Sequence, residues 1–400
     1  MKNYLRGVAS LQAWAVGTAL PFWSTRGFDS ARARFHERLD WSGRPLRDVA
    51  HRAMVQARQI YVFAHAAWLG WYPEGAEFAE LAMRSLLRDY RDRSGKLAGF
   101  AFSIDREKAV VSSCRDAYSH AFILFALAWL HRLDGAQEWL DAADETIAFI
   151  DSSLADAANG GVFDAFPVEG RGKKQNPHMH LLEAYLALEA SAPGRGYGDR
   201  ACELVSLFRQ RMFDAPTGTL PETFAEDWGA PGGCGAARAF EPGHHFEWLW
   251  LLCEFESVTG KAAGTHHWRM EAQARAHGVT AGFRVFDEVD AAMQVRKSSH
   301  RLWTHAEAAK AGAARRAHGD AAADAFIEAI VATLRRDFLG RPFAAGWIDH
   351  IGPEGQPIVD YVPASSLYHV FLAVAELARV CGDGAFPAAR PPVAAQTIHA

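Results

Sequence analysis

Histidine and glutamate lie three residues apart just after the turn signal Pro242-Gly243. His244 and Glu247 would share one face of the first turn of a helix that is mostly apolar through Phe255. That turn also carries unpaired N–H groups and the positive end of the helix dipole. An imidazole and a carboxylate at the mouth of an otherwise buried helix are suited to proton transfer.

Residues of similar chemistry recur near the starts of other apolar helices. They are Arg58 and His65, Tyr118 and His120, Asn176 and His180, Trp303, His305 and Glu307, and Tyr368 and His369. Bases that titrate near neutral pH, an arginine and aromatic walls in one pocket suit a polyhydroxylated substrate.

Other histidines and tryptophans have a structural interpretation. Four histidines are predicted to lie deep in apolar helices or to face away from the site: His65, His120, His178 and His245. Trp248, Trp250 and Phe255 are interpreted as core residues. Histidine density suggests a metal, but no pair of histidines or carboxylates has convincing ligand spacing, so no metal site is predicted.

Helical periodicity dominates the chain, with almost no alternation long enough for a sheet. Helices are predicted at 3–21, 45–69, 74–92, 109–132, 135–153, 174–191, 194–212, 240–258, 263–280, 300–316, 318–338 and 362–381. Short and long connections alternate, so the long loops should emerge together at one end and form the mouth of a site. Buried helices alternate with amphipathic ones, which predicts an all-α (α/α)6 barrel with six inner and six outer helices.

Composition and charge narrow the classes of partner. The chain has 400 residues, is 50% hydrophobic and carries a net charge of -5 with both signs interspersed, so no nucleic acid partner is expected. No apolar run is long enough for a membrane span. Five scattered cysteines without a C-x-x-C pair favour a reducing cytoplasm. We expect one domain over 1–382 and a flexible tail over 383–400; whether the protein is a monomer or a dimer is open.

Several segments resemble the motifs of the N-acylglucosamine 2-epimerase and cellobiose 2-epimerase superfamily, in particular its branch of D-mannose isomerases. They are Arg58-x-x-x-x-Phe63, Asn176-Pro-His-Met-His180-Leu-Leu-Glu, Glu241-Pro-Gly-His244-x-x-Glu247-Trp, Arg301-x-Trp303-x-x-Ala-Glu307 and Pro363-Ala-Ser-Ser-Leu-Tyr368-His369. The resemblance implies the same barrel, chemistry without a cofactor, and two essential histidines at His244 and His369. It also implies substrate-binding roles for Arg58, Tyr118, Asn176, His180, Glu247 and Trp303.

Moving a carbonyl between C1 and C2 of a sugar requires ring opening, removal of the C2 proton and stabilisation of an enediolate. His369 is assigned as the C2 base and His244 as the group for ring opening and O1/O2 proton transfer, although the reverse order also fits. Glu247 could orient the sugar, Arg58 could offset the enediolate charge, and Glu307 is a further binding residue or the partner of a backbone or arginine group.

The predicted activity is interconversion of D-mannose and D-fructose, with D-lyxose and D-xylulose as further substrates and without metal or cofactor. A sugar 2-epimerase is the first alternative. A glycoside hydrolase that uses Glu247 and Glu307, or Asp349 and Asp360, is the next. A non-catalytic sugar-binding subunit is the third. The sequence does not fix the sugar, and Arg238 is a candidate for reading an anionic group at C6.

Overall fold

The computed structural model describes residues 3–91, 99–231 and 238–382. The predicted flexible tail at 383–400 lies outside the described residues, as does Cys234. The cysteines within them, Cys114, Cys202, Cys253 and Cys381, are all free.

The described chain is predominantly helical. Its helices are α1 (Asn3–Trp14), α2 (Leu20–Thr25), α3 (Ala53–Trp68), α4 (Gly75–Asp89), α5 (Ala117–Asp134), α6 (Gln137–Phe149), α7 (Gln175–Ser191), α8 (Tyr197–Leu207), α9 (Pro242–Thr259), α10 (His266–His277), α11 (Leu302–Ala317), α12 (Ala323–Thr333) and α13 (Leu367–Cys381). One π-helical turn at Ala15–Ala19 joins α1 to α2, and similar turns extend α6, α8 and α12. A 3-10 turn, Ala364–Ser366, leads into α13.

The most buried helices form a closed ring. Helices α3, α5, α7, α9, α11 and α13 each contact the next in this order, and α13 contacts α3. Helix α5 is buried along most of its length, including the run from Ser119 to Leu130, which explains its continuous apolar sequence. Six neighbours therefore enclose a common interior.

A second set of helices lies outside this ring. Helices α4, α6, α8, α10 and α12 each pack on the buried helix just before them, and α1 packs on α12 and α13. Helix α4 is typical, because it buries Ala79, Ala82, Met83 and Leu86 and exposes charged residues on its other face. The predicted alternation of buried and amphipathic helices is confirmed.

Short strands join the long loops to one another. They are β1 (Phe28–Asp29), β2 (Arg34–Phe35), β3 (Arg38–Asp40), β4 (His51–Arg52), β5 (Ser103–Ile104), β6 (Val110–Ser112), β7 (Arg115–Asp116), β8 (Ala165–Phe166), β9 (Lys173–Lys174), β10 (Thr223–Phe224), β11 (Glu288–Val289), β12 (Val295–Lys297), β13 (His300–Arg301), β14 (His350–Ile351) and β15 (Tyr361–Pro363). The loop before each inner helix pairs with the loop before the next one, through β4 with β5, β7 with β8, β9 with β10, Phe240 with Val289, β13 with β14 and β15 with β3. The loops thus form a closed belt around one end of the ring.

These strands correct several predicted helix starts. Helices predicted from 45 and 109 begin at Ala53 and Ala117, because β4 and β7 hold the preceding residues extended. The last helix, predicted from 362, begins at Leu367 for the same reason, since β15 occupies Tyr361–Pro363. Strands of two or three residues are too short for alternation to reveal them.

One helical stretch, Ala364–Cys381, is long and apolar enough to cross a membrane, and 83% of it is buried inside the described fold. Burial of this kind is typical of the core helix of a folded domain.

Candidate active site

The first turns of the inner helices place their side chains in a common register. The six inner helical segments begin at Ala53, Ala117, Gln175, Pro242, Leu302 and Ala364. In the same order, the sixth residue of each segment is Arg58, Phe122, His180, Glu247, Glu307 and His369. The second residue, one turn earlier on the same face, is Met54, Tyr118, Asn176, Gly243, Trp303 or Ser365. Nearly all residues predicted to bind substrate occupy one of these two positions.

The fourth residue of these helices has a different, structural task. At this position His120, His178 and His305 each donate Nδ1–H to the carbonyl four residues earlier and accept a backbone N–H of the preceding loop at Nε2. His245 accepts from Leu220 N–H in the same way, and Gln56 bonds both backbone groups of Phe35. The structural interpretation of His120, His178 and His245 is therefore confirmed.

His369 is held as a neutral imidazole from the neighbouring helix. Its Nδ1 lies 2.6 Å from Oε1 of Glu307, and the other carboxylate oxygen of Glu307 lies 2.6 Å from Nζ of Lys310. Burial lowers the pKa of His369 well below its usual value, and the cations of Arg58 and Lys310 add to this effect. Burial raises the pKa of Glu307, whereas Lys310 opposes the rise. The arrangement leaves Nε2 of His369 for a ligand.

His244 is held in the opposite charge state. Its Nδ1 lies 3.0 Å from Oε1 and 2.9 Å from Oε2 of Glu222, a residue of the loop between α8 and α9. Burial alone would lower the pKa of His244, but the charge and hydrogen bond of Glu222, with help from Glu241 and Glu247, raise it to about 9. His244 is therefore an imidazolium at neutral pH.

An indole connects the two histidines. The ring of Trp303 is centred 4.8 Å from that of His244 and 5.5 Å from that of His369. Gly243 makes room for it, since a Cβ at that position would lie 2.7 Å from Cζ3 of Trp303. A proton acceptor and a proton donor thus border one aromatic surface.

Arg58 and Tyr118 form a second group beside this surface. Nη2 of Arg58 donates to the Tyr118 hydroxyl at 2.5 Å, and Nη1 donates to the Ser365 carbonyl at 3.4 Å. The guanidinium also lies 4.2 Å from the ring centre of Phe122. Its position is fixed by α5 and by the turn before α13, which keeps a cation near His369.

His180 adjoins Tyr118, with ring centres 5.1 Å apart. Its Nδ1 bonds Glu183 at 3.0 Å, and the Tyr368 hydroxyl donates to the other oxygen of that carboxylate at 2.5 Å. Burial lowers the pKa of His180 to about 3, so the ring is neutral. Asn176 lies one turn before His180, and its Oδ1 is buried without a partner among the described residues.

Glu247 has an unusual environment. The residue is 2% exposed, yet neither carboxylate oxygen has a hydrogen-bond partner in the part of the chain that the structure describes. Buried polar groups are normally paired, so this carboxylate is suited to accept O–H groups from a ligand.

Glu247, Glu307 and His369 each offer one metal-ligand atom, and these atoms lie within 4.8 Å of one another. Lys310 already supplies a positive charge to Glu307. The carboxylate pairs predicted for a glycoside hydrolase do not match an inverting site. Ligand atoms of Glu247 and Glu307 lie within 4.8 Å of each other, whereas an inverting pair needs carboxyl groups about 6.5–9.5 Å apart. In the other pair, Asp360 is exposed.

A depression of about 260 Å³ opens above His369. Its lining includes Arg58, Arg301, Trp303 and Ser365. At the mouth, the charge of Arg301 opposes the rise that burial causes in the pKa values of Glu241 and Asp349. Arg238, a sequence candidate for reading an anion, is instead paired with Asp214 at 3.1 Å.

Sequence reasoning missed the partners of both histidines. Lys310 follows Glu307 by one helical turn, so its spacing was a usable signal. Glu222 lies in a long loop, and no local pattern reveals which helix a loop residue contacts. Asp349, predicted only as a hydrolase carboxylate, accepts a short hydrogen bond from the Ser366 hydroxyl beside the site.

Known proteins are similar to this chain over most of its length. The family model of N-acylglucosamine 2-epimerase (GlcNAc 2-epimerase) matches residues 34–373. The chain belongs to this family. As a member of the N-acylglucosamine 2-epimerase family, it is an enzyme of a group that contains sugar epimerases and isomerases.

Both kinds of enzyme occur among its relatives. A mannose-6-phosphate isomerase of Rhizobium meliloti (strain 1021) is 31% identical over 386 residues, which cover 92% of this chain and 95% of the relative. The crystal structure of a D-mannose isomerase matches with a TM-score of 0.83 at 17% identity, covering 93% and 97% of the two chains. A cellobiose 2-epimerase of Spirochaeta thermophila DSM 6192 matches with a TM-score of 0.81 at 24% identity, covering 94% and 96%. At these identities the structures establish a shared fold alone.

Proposed function

We propose that the protein is an aldose–ketose isomerase that interconverts D-mannose and D-fructose, and also D-lyxose and D-xylulose, within an (α/α)6 barrel and without metal or cofactor. The observation that carries this proposal is the pairing of a neutral and a protonated histidine at one indole. His369 is neutral, His244 is cationic, and both rings pack near Trp303. Such a pair supplies the base and the acid that a carbonyl shift requires.

His369 is the base at C2. Its Nδ1–H is donated to Glu307, so the lone pair of Nε2 faces the substrate. The C2 proton moves to Nε2, and the resulting imidazolium is stabilised by the Glu307 carboxylate. The proton on Nε2 exchanges with solvent, and delivery of a proton from Nε2 to C1 on the same face of the enediolate completes the isomerisation.

His244 is the acid for the oxygens. Its raised pKa keeps a proton on Nε2 at neutral pH, since Nδ1 is bonded to Glu222. As the sugar opens, His244 donates that proton to the ring oxygen and takes up the O1 proton. It then returns a proton to O1 as the C2 proton leaves, and receives the O2 proton as the carbonyl forms at C2. The reverse assignment, with His244 as base, is disfavoured because His244 is already protonated at neutral pH and has no lone pair free to accept the C2 proton.

The remaining residues bind the open-chain sugar. The Glu247 carboxylate and the side-chain amide oxygen of Asn176 are buried without partners among the described residues, and they accept hydrogen bonds from the hydroxyl groups of the sugar. Arg58 provides positive charge for the enediolate where water is excluded. Trp303 packs on the C–H face of the sugar. A polyhydroxylated ligand would therefore supply hydrogen bonds to groups that have no partner in the described part of the chain.

The test follows a solvent isotope. Full-length protein is incubated with D-mannose in heavy water, with and without a chelator, and the products are separated and examined by NMR. We expect D-fructose with deuterium at C1, at the same rate in both samples. D-Glucose labelled at C2 would instead assign a 2-epimerase. A rate lost in chelator and restored by a divalent metal would overturn the cofactor-free mechanism.

A hexose 6-phosphate isomerase is the second candidate, because the Arg301 guanidinium lines the mouth of the site. A phosphate at C6 would accept charge-assisted hydrogen bonds from it. This candidate predicts a kcat/KM for mannose 6-phosphate above that for mannose, and loss of the preference in Arg301→Gln. Equal values for the two sugars would exclude it.

A further inference from the structure

A lysine is buried inside the ring of inner helices. Lys310 lies on α11, one turn after Glu307, and its ammonium is 4.0 Å from the ring centre of Trp250. Burial alone would lower the pKa of Lys310, but the charges of Glu307, Glu247 and Glu183 raise it, so the side chain is cationic at neutral pH. An ammonium group carries three N–H donors and no acceptor. An oxygen that lies against Lys310 therefore cannot direct a proton towards it.

The carboxyl group of Glu307 lies between this ammonium and an imidazole. Its Oε2 is 2.6 Å from Nζ of Lys310, and its Oε1 is 2.6 Å from Nδ1 of His369. Because Oε2 faces the ammonium, a proton on this carboxyl group would have to be on Oε1, where Nδ1 would accept it. The charge of Glu307 thus decides the direction of the hydrogen bond to His369.

The direction of that hydrogen bond fixes the tautomer of His369. A neutral imidazole carries one N–H and one lone pair. When Glu307 is ionised, Nδ1 donates to it, and Nε2 has the lone pair that a base at C2 needs. When Glu307 is protonated, Nδ1 accepts, Nε2 carries the hydrogen, and the imidazole has no lone pair for the substrate.

Lys310 is the cation that favours the ionised form of Glu307. Burial and the charge of Glu247 raise the pKa of Glu307, whereas Lys310 opposes the rise. Arg58, a second cation of the site, donates to the Tyr118 hydroxyl instead. Removal of Lys310 should therefore leave Glu307 protonated at neutral pH.

We propose that Lys310 is a positioning residue for the isomerase, which holds Glu307 as a carboxylate and thereby keeps the lone pair of His369 on Nε2. This inference rests on the proposed role of His369 as the base at C2. Lys310 does not line the depression above His369, so it acts through Glu307 alone.

Nitrogen NMR of the free, full-length protein tests the tautomer without any substrate. Histidines are labelled with nitrogen-15, and the signals that disappear in His369→Asn belong to His369. We expect the Nδ1–H tautomer in the unaltered protein and the Nε2–H tautomer in Lys310→Met. Glu307→Gln should also give the Nε2–H tautomer, because Lys310 attracts the amide oxygen and leaves the NH₂ group facing Nδ1. An Nε2–H tautomer in the unaltered protein, or an Nδ1–H tautomer in either variant, would overturn the proposal.

A pH profile separates this role from a structural one. In Lys310→Met, Glu307 regains its charge as the pH rises, and the lone pair returns to Nε2 of His369. Glu247 on α9 and Glu183 on α7 raise the pKa of Glu307, so this return requires alkaline solution. Relative to the unaltered protein at each pH, turnover of D-mannose should be about 10²-fold lower near neutral pH and recover in part towards about pH 8.5. A deficit that does not change with pH would contradict the proposal.

Lys173→Met is the matched control. Lys173 is also buried, at 0% exposure, and its Nζ lies 2.7 Å from a carboxylate oxygen of Asp156, but it belongs to β9 in the loops. We expect this variant to lose stability, yet to keep the Nδ1–H tautomer of His369 and the unaltered pH profile. A changed tautomer in Lys173→Met would assign the effect to general destabilisation. Absence of turnover in the unaltered protein would refute the proposed function, and the NMR comparison would still decide the role of Lys310.

Discussion

Glu307 holds His369 from the neighbouring helix, with 2.6 Å between Oε1 of the carboxylate and Nδ1 of the imidazole. Both residues occupy the sixth position of their helical segments, so the contact joins equivalent positions of adjacent helices in the ring. Carboxylate and imidazole are buried, at 0% and 5% exposure, which fixes the tautomer of the histidine. The roles proposed for the site depend on this contact.

His369→Asn should lower kcat by about 10²–10⁴-fold, because the variant lacks a base for C2. Conversion of D-mannose to D-fructose is followed by chromatography, and folding by circular dichroism. His277→Asn, at an exposed position of α10, is the control and should retain full activity. A His369→Asn enzyme with more than a tenth of the original rate would remove His369 from proton transfer.

The pH dependence of kcat/KM should report both histidines. Since burial lowers the pKa of His369 well below 6.5, the base stays available in mildly acidic solution. His244 must remain protonated, so activity should fall as the pH passes its pKa of about 9. Glu222→Gln removes the main charge that raises this pKa, and should move the alkaline limb to lower pH by about 1–3 pH units. An unmoved limb would show that another group controls it.

His178 and His180 provide a matched pair on α7. His178→Ala leaves the N–H of Val162 unpaired, so we expect a loss of about 1–3 kcal/mol in the free energy of unfolding with kcat unchanged. His180→Ala should instead lower kcat/KM about tenfold, and it should also cost some stability because the buried Glu183 carboxylate loses its hydrogen bond to His180. Urea unfolding and steady-state kinetics of both variants separate the two roles. Exchange of these phenotypes would contradict the register of the inner helices.

Much of this architecture could be predicted because its signals are local. Continuous apolar runs such as that of α5 indicate a helix buried on all sides, and spacings of three or four residues place Asn176 with His180 on one face. The starts of the inner helices could not be predicted from the sequence, because β4 and β7 form only by pairing with strands of neighbouring loops. Extended backbone that is fixed by a distant partner has no local signature.

The charge states of His244 and His369 could not be predicted from the sequence either. In sequence both are imidazoles at the start of apolar helices, and nothing local distinguishes them. Glu222 reaches His244 from a loop, whereas His369 meets Glu307, whose charge Lys310 offsets. Tertiary contacts therefore decide which histidine is the acid and which is the base.

Lys310 and Glu307 form an ion pair with both side chains at 0% exposure. Lys310→Met should destabilise the protein by about 3–5 kcal/mol, because it leaves Glu307 buried beside Glu247 without a cation. The double variant Lys310→Met with Glu307→Gln should recover part of this loss, since the carboxylate that Lys310 pairs with directly is no longer charged. Urea unfolding of the two variants measures the difference. A double variant less stable than Lys310→Met alone would argue against charge burial as the cause.

Gly243 lets the Trp303 indole approach α9. The Cβ of an alanine there would lie 2.7 Å from Cζ3 of Trp303 and 2.8 Å from Cγ2 of Thr304, closer than side chains tolerate. Because the indole packs beside both histidines, Gly243→Ala should shift it and lower kcat/KM by about 10–100-fold, the cost typical of a misplaced group near the chemistry. Gly17→Ala, where a Cβ meets nothing within 4 Å, is the control and should keep its activity. Unchanged kinetics in Gly243→Ala would mean that the position of Trp303 does not matter for catalysis, and that the two histidines act without the surface between them.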